Sequence, residues 1–326
     1  MEGSAPGRAC PLSYGYRARD LAAGSVLEAA AVYVVGGLYG NRFALEEILR
    51  LGDAEQDEAV LVFNGDFHWF DADPDTFDAV NREVLRHHAL RGNVETEIAG
   101  EDQGAGCGCG YPDWVGDAEV ERSNRILARL RETARAFPGA RRALGRLPMH
   151  LAARVGPLRI GIVHGDGESL AGWGLSQERL PENRETIARW LAEAGVDGFA
   201  SSHTCLPVAA AVGDGILINN GAAGMPNFSG TRFGVITRVG LGPSPVPALY
   251  AARHRGVYVE ALPVHYDHEA WVRQFLQFWP EGSDAHASYM KRILHGPGFS
   301  LAHAVGEGFS VGIGGENAAA GEIRAA

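Results

Sequence analysis

Short apolar runs that stop on a polar residue recur along this chain, and they constrain its fold more than any other feature. Ala59–Phe63 ends at Asn64-Gly65-Asp66, and a short run precedes Gly92-Asn93. Leu158–Val163 stops at His164, and DGFASSHTCLP carries His203 just past another apolar stretch. Helical spacing follows several of these runs. Ala44/Ile48 and Leu45/Leu49 recur at i,i+4 after Val32–Val35. Phe77, Val80 and Val84 share a face after Pro74, and Ile187, Trp190, Leu191 and Ala194 share another. Strand, polar tip and helix, repeated in this way, predict an α/β fold. Ligands in open α/β sheets gather beyond the carboxyl ends of the strands, so four such tips can converge on one site.

The remaining sequence frames that unit. Residues 1–30 read as an irregular lead-in, 31–299 as the folded domain, and the Gly/Ala-rich 300–326 as a poorly ordered tail. The stretch EDQGAGCGCGYPDWVG, 101–116, reads as loop, and a long helical region follows over roughly 117–147. FGVITRV and GVYVEALPV suggest antiparallel strands. A chain of 326 residues can bury one large core or two modest ones. The net charge of -11 argues against a nucleic-acid or anionic-membrane surface. It leaves room for an anionic substrate, because a bound cation can reverse the local field. There is no run of about 18 apolar residues to span a bilayer, and the first residues lack the apolar core of a secretory signal. Four cysteines, Cys10, Cys107, Cys109 and Cys205, do not make a disulfide framework in a chain this long. The cytoplasm is the default compartment.

At the four tips stand Asp66, Asn93, His164 and His203. A carboxylate, an amide oxygen and two imidazoles suit a divalent transition metal such as manganese, zinc or iron. Each residue alone has a plain structural use: a turn cap for Asp66, an Asx-turn for Asn93, a satisfied buried ring for either histidine. Their joint placement at strand ends points to a metal.

The ordered segments GNRFALEEIL, NGDFHWFDADP, LRGNVE, IVHGDGES, ASSHTCLP and INNGAAGMP, followed by EALPVHYD, resemble the calcineurin-like metallophosphoesterase superfamily over roughly 31–267. The likeness is nearest to its small prokaryotic phosphodiesterase branch, which is similar to diadenosine-tetraphosphate hydrolases. The resemblance implies a four-layer α/β/β/α sandwich with two metals between the sheets. It implies Asp66, Asn93, His164 and His203 as one complete metal site, with Asp66 shared. Two such cations polarise a phosphoryl group and supply hydroxide near neutral pH. The other site departs from the family pattern: Gly37 stands where an Asp belongs, Tyr39 where a His belongs, and Cys205 where the last His belongs. Val94 replaces the usual catalytic His.

Three readings follow. The chain is a one-metal hydrolase of a small phosphorylated molecule, with His68 managing protons beside Asp66. Alternatively it is a catalytically silent metal or ligand binder on the same fold, or a hydrolase whose altered site uses Cys205 as a sulfur ligand. Tyr39 could ligate as a phenolate only beside a strongly polarising metal. Cys107-Gly108-Cys109 could supply thiolates or form a lid. Arg91 is a candidate phosphate contact, equally suited to an exposed salt bridge. Asn41 could orient a bound anion, and Asn219, with Asn220 and Gly221, resembles the family's N-P-G-S loop. Trp69, Phe70 and Trp114 could stack on a base or simply pack.

Overall fold

Alternation along the strands decides the layering. The computed structural model describes residues 5–8, 10–55, 58–101, 104–312 and the backbone of 322–323. Its strands are β1 (Val26–Glu28), β2 (Ala31–Val35), β3 (Ala59–Asn64), β4 (His88–Leu90), β5 (His150–Val155), β6 (Leu158–Val163), β7 (Gly198–Ser201), β8 (Pro207–Val212), β9 (Gly215–Asn220), β10 (Gly234–Gly240), β11 (Tyr250–His254), β12 (Val257–Val264), β13 (Ser310–Val311) and β14 (Glu322–Ile323). One sheet runs β1-β5-β6-β7-β9-β8, and the other β13-β11-β12-β10-β2-β3-β4, with β14 beside β11.

In β2, Val32 and Val34 join Ile160, Ile162, Ile216 and Ile218 of the other sheet in one apolar cluster. Tyr33 and Val35, one residue out of phase, belong to a second cluster on the opposite face. A period of two therefore supplies both a sheet-on-sheet core and a helix-facing surface. The helices are α1 (Asp20–Ala23), α2 (Arg42–Asp53), α3 (Pro74–Val84), α4 (Asn93–Ala99), α5 (Asp117–Arg135), α6 (Pro138–Leu144), α7 (Leu180–Ala194), α8 (His268–Phe278), α9 (Asp284–His295) and α10 (Leu301–Ala304). Leu45 and Ile48 of α2, Phe77, Val80 and Val84 of α3, and Trp271 and Phe275 of α8 cover the large sheet. Ile187, Trp190, Leu191 and Ala194 of α7 cover Phe199 and Leu217 of the small one. The result is the four-layer α/β/β/α sandwich.

Three segments differ from expectation. The lead-in is built into the fold: β1 pairs in parallel with β5, and Tyr14, Ala18 and Leu21 are buried. The long helical region is two helices, because Pro138 lacks the amide needed to continue α5 and instead begins α6. Residues 300–312 are packed rather than loose. Ala304 and Phe309 are buried, and β13 pairs with β11. Residues 313–321 and 324–326 of the expected tail lie outside the described residues. No helix among the described residues is long and apolar enough to cross a membrane.

Inside the large sheet, Arg238 of β10 lies 2.6 Å from Glu260 and also pairs with Glu55, all three side chains being buried. Tyr33 donates to Glu55 at 2.6 Å. Arg238→Met leaves two buried carboxylates without a cation, so the unfolding free energy should fall by about 3–5 kcal/mol. Urea denaturation reads this directly, and a loss below about 1 kcal/mol would mean that the network is solvent-screened.

Candidate metal centre

β2, β3 and β4 are mutually parallel, as are β6 and β7, so their carboxyl ends can present the loops that follow at a common site. Asp66 lies two residues past β3, Asn93 opens α4 after β4, His164 follows β6, and His203 lies two residues past β7. Close backbone approach explains the glycine before each of the first two. A Cβ on Gly65 would fall 2.6 Å from Gly92 Cα and 2.7 Å from His164 Nδ1, while one on Gly92 would fall 2.3 Å from Asp66 Oδ1. Gly65 and Asp66 both have positive φ, 74° and 52°. The turn is held by Glu95 of α4, whose buried carboxylate accepts from the amides of Asp66 (2.7 Å), Gly92 (2.9 Å) and His68 (3.3 Å).

Four acceptor atoms then meet. His164 Nε2 stands 3.2 Å from Asp66 Oδ2, 3.2 Å from Asn93 Oδ1 and 3.1 Å from His203 Nδ1. One ring nitrogen can serve only one hydrogen bond, and the surrounding network assigns the protons elsewhere. His164 donates from Nδ1 to the Asn64 carbonyl (2.9 Å), and His203 from Nε2 to the Cys109 carbonyl (2.9 Å). Asn93 spends its amide hydrogen on the Cys107 carbonyl (2.9 Å), which turns its oxygen inward. With both rings neutral, lone pairs therefore face lone pairs. Ligand atoms about 2.1 Å from a cation lie roughly 3.0–3.4 Å apart in octahedral or tetrahedral arrangements, the spacing found here. Carbonyls that orient each imidazole and the amide are what a metal centre needs around its ligands.

The electrostatics agree. Burial pulls the His164 imidazole down, but the Asp66 charge and hydrogen bond outweigh it and leave it raised. Burial pushes Asp66 up, and His164 reverses that to leave it lowered. Burial, then the His164 charge, presses His203 down to about 4. The raised His164 marks a cluster that draws one positive charge, a proton on Nε2 or a cation in its place, while His203 stays neutral; a bound cation needs both rings neutral.

The neighbouring position is different. A Cβ on Gly37, where φ is 64°, would lie 2.9 Å from Tyr39 Cζ and 3.0 Å from its hydroxyl oxygen. The Tyr39 ring therefore occupies the space beside Gly37. Its hydroxyl is 2.8 Å from Cys205 Sγ. Both residues have positive φ, 56° and 62°. Burial pushes the Tyr39 phenol well above its ordinary value and the Cys205 thiol up, so the contact is between neutral groups rather than a phenolate and a thiolate. Asp66, His164 and His203 are the only group of three or more His, Cys, Asp or Glu side chains among the described residues with ligand atoms within 4.8 Å of one another. Cys205 is not in it.

A family model described as calcineurin-like phosphoesterase matches residues 30–229. The chain belongs to the calcineurin-like phosphoesterase family. Its fold is similar to a hypothetical protein from Pyrococcus horikoshii OT3, at 18% identity and a TM-score of 0.55, covering 82% of this chain and 99% of that one. It is also similar to a metallophosphoesterase from Sphaerobacter thermophilus, at 16% identity and a TM-score of 0.53, covering 82% of this chain and 100% of that one. No curated protein matches the chain in sequence.

In this phosphoesterase a cavity of 160 Å³ opens beside the ligands, with Asp66, Asn93 and His203 on its floor. Trp69, Tyr111, Trp173 and Tyr289 wall it, and Arg292 of α9 is the cationic side chain among its lining residues. Arg292 donates to the carbonyls of Cys205 (2.7 Å) and Pro226 (2.9 Å), using Nη2 and Nε, and its Nη1 has no protein partner among the described residues. Sequence reasoning missed Glu95, Arg292, Tyr289 and Trp173. The i,i+3 pair Tyr289 and Arg292 on an amphipathic helix was the one available signal.

Several expected site residues sit elsewhere. The His68 ring stacks on Phe77 and bonds Asp71 (2.6 Å) inside the helix-facing core, so only its backbone serves the centre. Arg91 donates to the Gly145 carbonyl and lines a different cleft. Asn41 caps α2 through the amides of Phe43 and Ala44 and donates to the Gly224 carbonyl. Asn219 bonds Thr204 (2.9 Å) and the Gly221 amide (2.9 Å), bracing the His203 loop from behind. Phe70 is core, and half-exposed Trp114 stacks under Arg179. Cys107 and Cys109 are joined as a disulfide, and their loop covers the centre through the two carbonyls named above.

Proposed function

We propose that this phosphoesterase hydrolyses a small phosphorylated molecule with a single divalent cation held by Asp66, Asn93, His164 and His203. What carries the reading is the convergence of four acceptor atoms that, with both rings neutral, have no hydrogen between them. When bound, such a cation supplies Lewis acidity to a phosphoryl oxygen and acidifies water. The protein's own groups do the rest. Asn64, Cys107 and Cys109 carbonyls hold the ligands in orientation. Arg292 lines the cavity, where its remaining donor would give a phosphoryl oxygen a charge-assisted hydrogen bond. The aromatic walls limit water and fit a flat or apolar leaving group. Val94 offers no proton, and the His68 ring is turned away, so the chain lacks an imidazole acid at those two positions.

The filled Gly37 position favours a second reading, a ligand-binding protein that no longer turns over. A panel of phosphomonoesters and phosphodiesters, assayed with manganese, zinc or iron, separates the two. Turnover with one metal per chain supports hydrolysis. Full metal content without turnover of any ester supports the silent binder. Under the first reading Arg292→Lys should raise KM about tenfold, roughly the worth of one charged hydrogen bond, with metal content unchanged.

A further inference from the structure

A second cleft, of 680 Å³, lies between the Arg91 turn, α4 and α6. Arg91, Arg141, Arg142 and Arg146 line it, against two carboxylates, Glu97 and Glu101. Glu97 is already committed: it accepts from Tyr14 at 2.6 Å and pairs with Arg131. Glu101 is exposed, and among the described residues its carboxylate pairs with Arg141 alone, at 3.4 Å. Arg91, Arg142 and Arg146 have no carboxylate partner among the described residues. In a chain of net charge -11, such a concentration of unpaired cations is unusual.

Two details show that the cleft is short of an anion. Arg91 is half-buried, its Nη1 donates to the Gly145 carbonyl at 2.8 Å, and its buried Nε has no partner. Burial presses the Arg91 guanidinium down from its ordinary value, offset in part by the Tyr14 phenol and by no carboxylate among the described residues. A charge withdrawn from water without a counter-ion costs free energy. Arg142 and Arg146 stand four residues apart on one helical turn, continued past α6 by the bond from the Arg146 amide to the Ala143 carbonyl (3.1 Å). Like charges at that spacing repel unless something bridges them. The helix dipole accounts for cations at the end of α6. It does not account for Arg91, which comes from another element.

We infer that this cleft is a binding site for a small phosphate-bearing polyanion, separate from the metal centre. Planar guanidinium forks take two oxygens of one phosphoryl group, and forks on two elements can grip adjacent phosphoryl groups. The volume suits a small organic phosphate as well as a free diphosphate.

The test uses pyrophosphate and isothermal titration calorimetry on the full chain, with His164→Ala as the background so that the metal centre is disabled. One pyrophosphate per chain should bind saturably to His164→Ala. Adding the exposed pair Arg142→Gln and Arg146→Gln should weaken it at least about tenfold, one charged contact or more. Arg91→Gln should do the same, with thermal melts checking that each variant folds. Sugar phosphates that compete would name an organic ligand, and their failure to compete the free diphosphate. The inference is overturned if His164→Ala binds no pyrophosphate up to millimolar concentration, if sulfate binds equally well, or if Arg142→Gln/Arg146→Gln leaves the affinity unchanged.

Discussion

His164→Ala should empty the metal centre and reduce phosphoester turnover by about 10³-fold or more, the scale of losing the main source of charge stabilisation. The reason lies in the position of one atom. His164 Nε2 is the point from which Asp66, Asn93 and His203 are all 3.1–3.2 Å away. Removing it leaves three ligands around a gap, and water must replace the nitrogen. The Asn64 carbonyl loses its Nδ1 donor but keeps Ser202, 3.0 Å away, so the inter-sheet link survives. Asn64 also bonds the Val163 carbonyl at 2.8 Å. The variant should therefore fold and fail to hold metal. Elemental analysis after gel filtration measures this, and an unchanged metal content would sink the assignment.

Rebuilding the neighbouring position should have the opposite effect. Gly37→Asp alone should cost about 2–4 kcal/mol of stability, because the new Cβ meets the Tyr39 ring at 2.9 Å in a left-handed backbone conformation. Tyr39→His in the same chain removes the obstructing Cζ and hydroxyl, leaving the backbone of Ala222, 3.2 Å from the new Cβ, as the next neighbour. The two changes should therefore be strongly non-additive, by about 1–3 kcal/mol, as coupled neighbours are. Histidine is among the residues that tolerate positive φ, which both position 39 and position 205 require. Adding Cys205→His then places a carboxylate and two imidazoles beside Asp66. Metal content should rise from one to two per chain, and turnover by about 10²-fold, as a second cation shares the developing charge. A folded triple variant that still holds one metal would show that this space is not a metal position.

Much of the candidate centre was legible because each proposed ligand follows the end of a strand. A strand such as Leu158–Val163, apolar but for Arg159, announces itself, and whatever follows it is delivered to the same edge as its parallel neighbour's end. The glycines before Asp66 and Asn93 were visible too, and their reason is a backbone approach so close that a Cβ on Gly65 would fall 2.6 Å from Gly92. His68 was misread because its neighbourhood in sequence, two residues from Asp66, is not its neighbourhood in space. The turn after Asp66 carries the His68 ring into the core, where Phe77, Asp71 and Asn81 give it a complete setting. Arg91 failed for a similar reason. Its backbone belongs to the Gly92-Asn93 turn, while its side chain reaches back toward Gly145.

Local pattern thus determined the layers, the order of the strand tips and the identity of the four acceptors, since periodicity and chain direction are properties of short segments. Tertiary packing decided what stands around them. Tyr39 fills the space at Gly37 because the thiol of Cys205, 166 residues away, meets its hydroxyl. Arg292 becomes the cation of the cavity because α9 docks against the Cys205 and Pro226 carbonyls. Neither relation has a signature in a short segment, because each depends on where a side chain points after distant elements have packed.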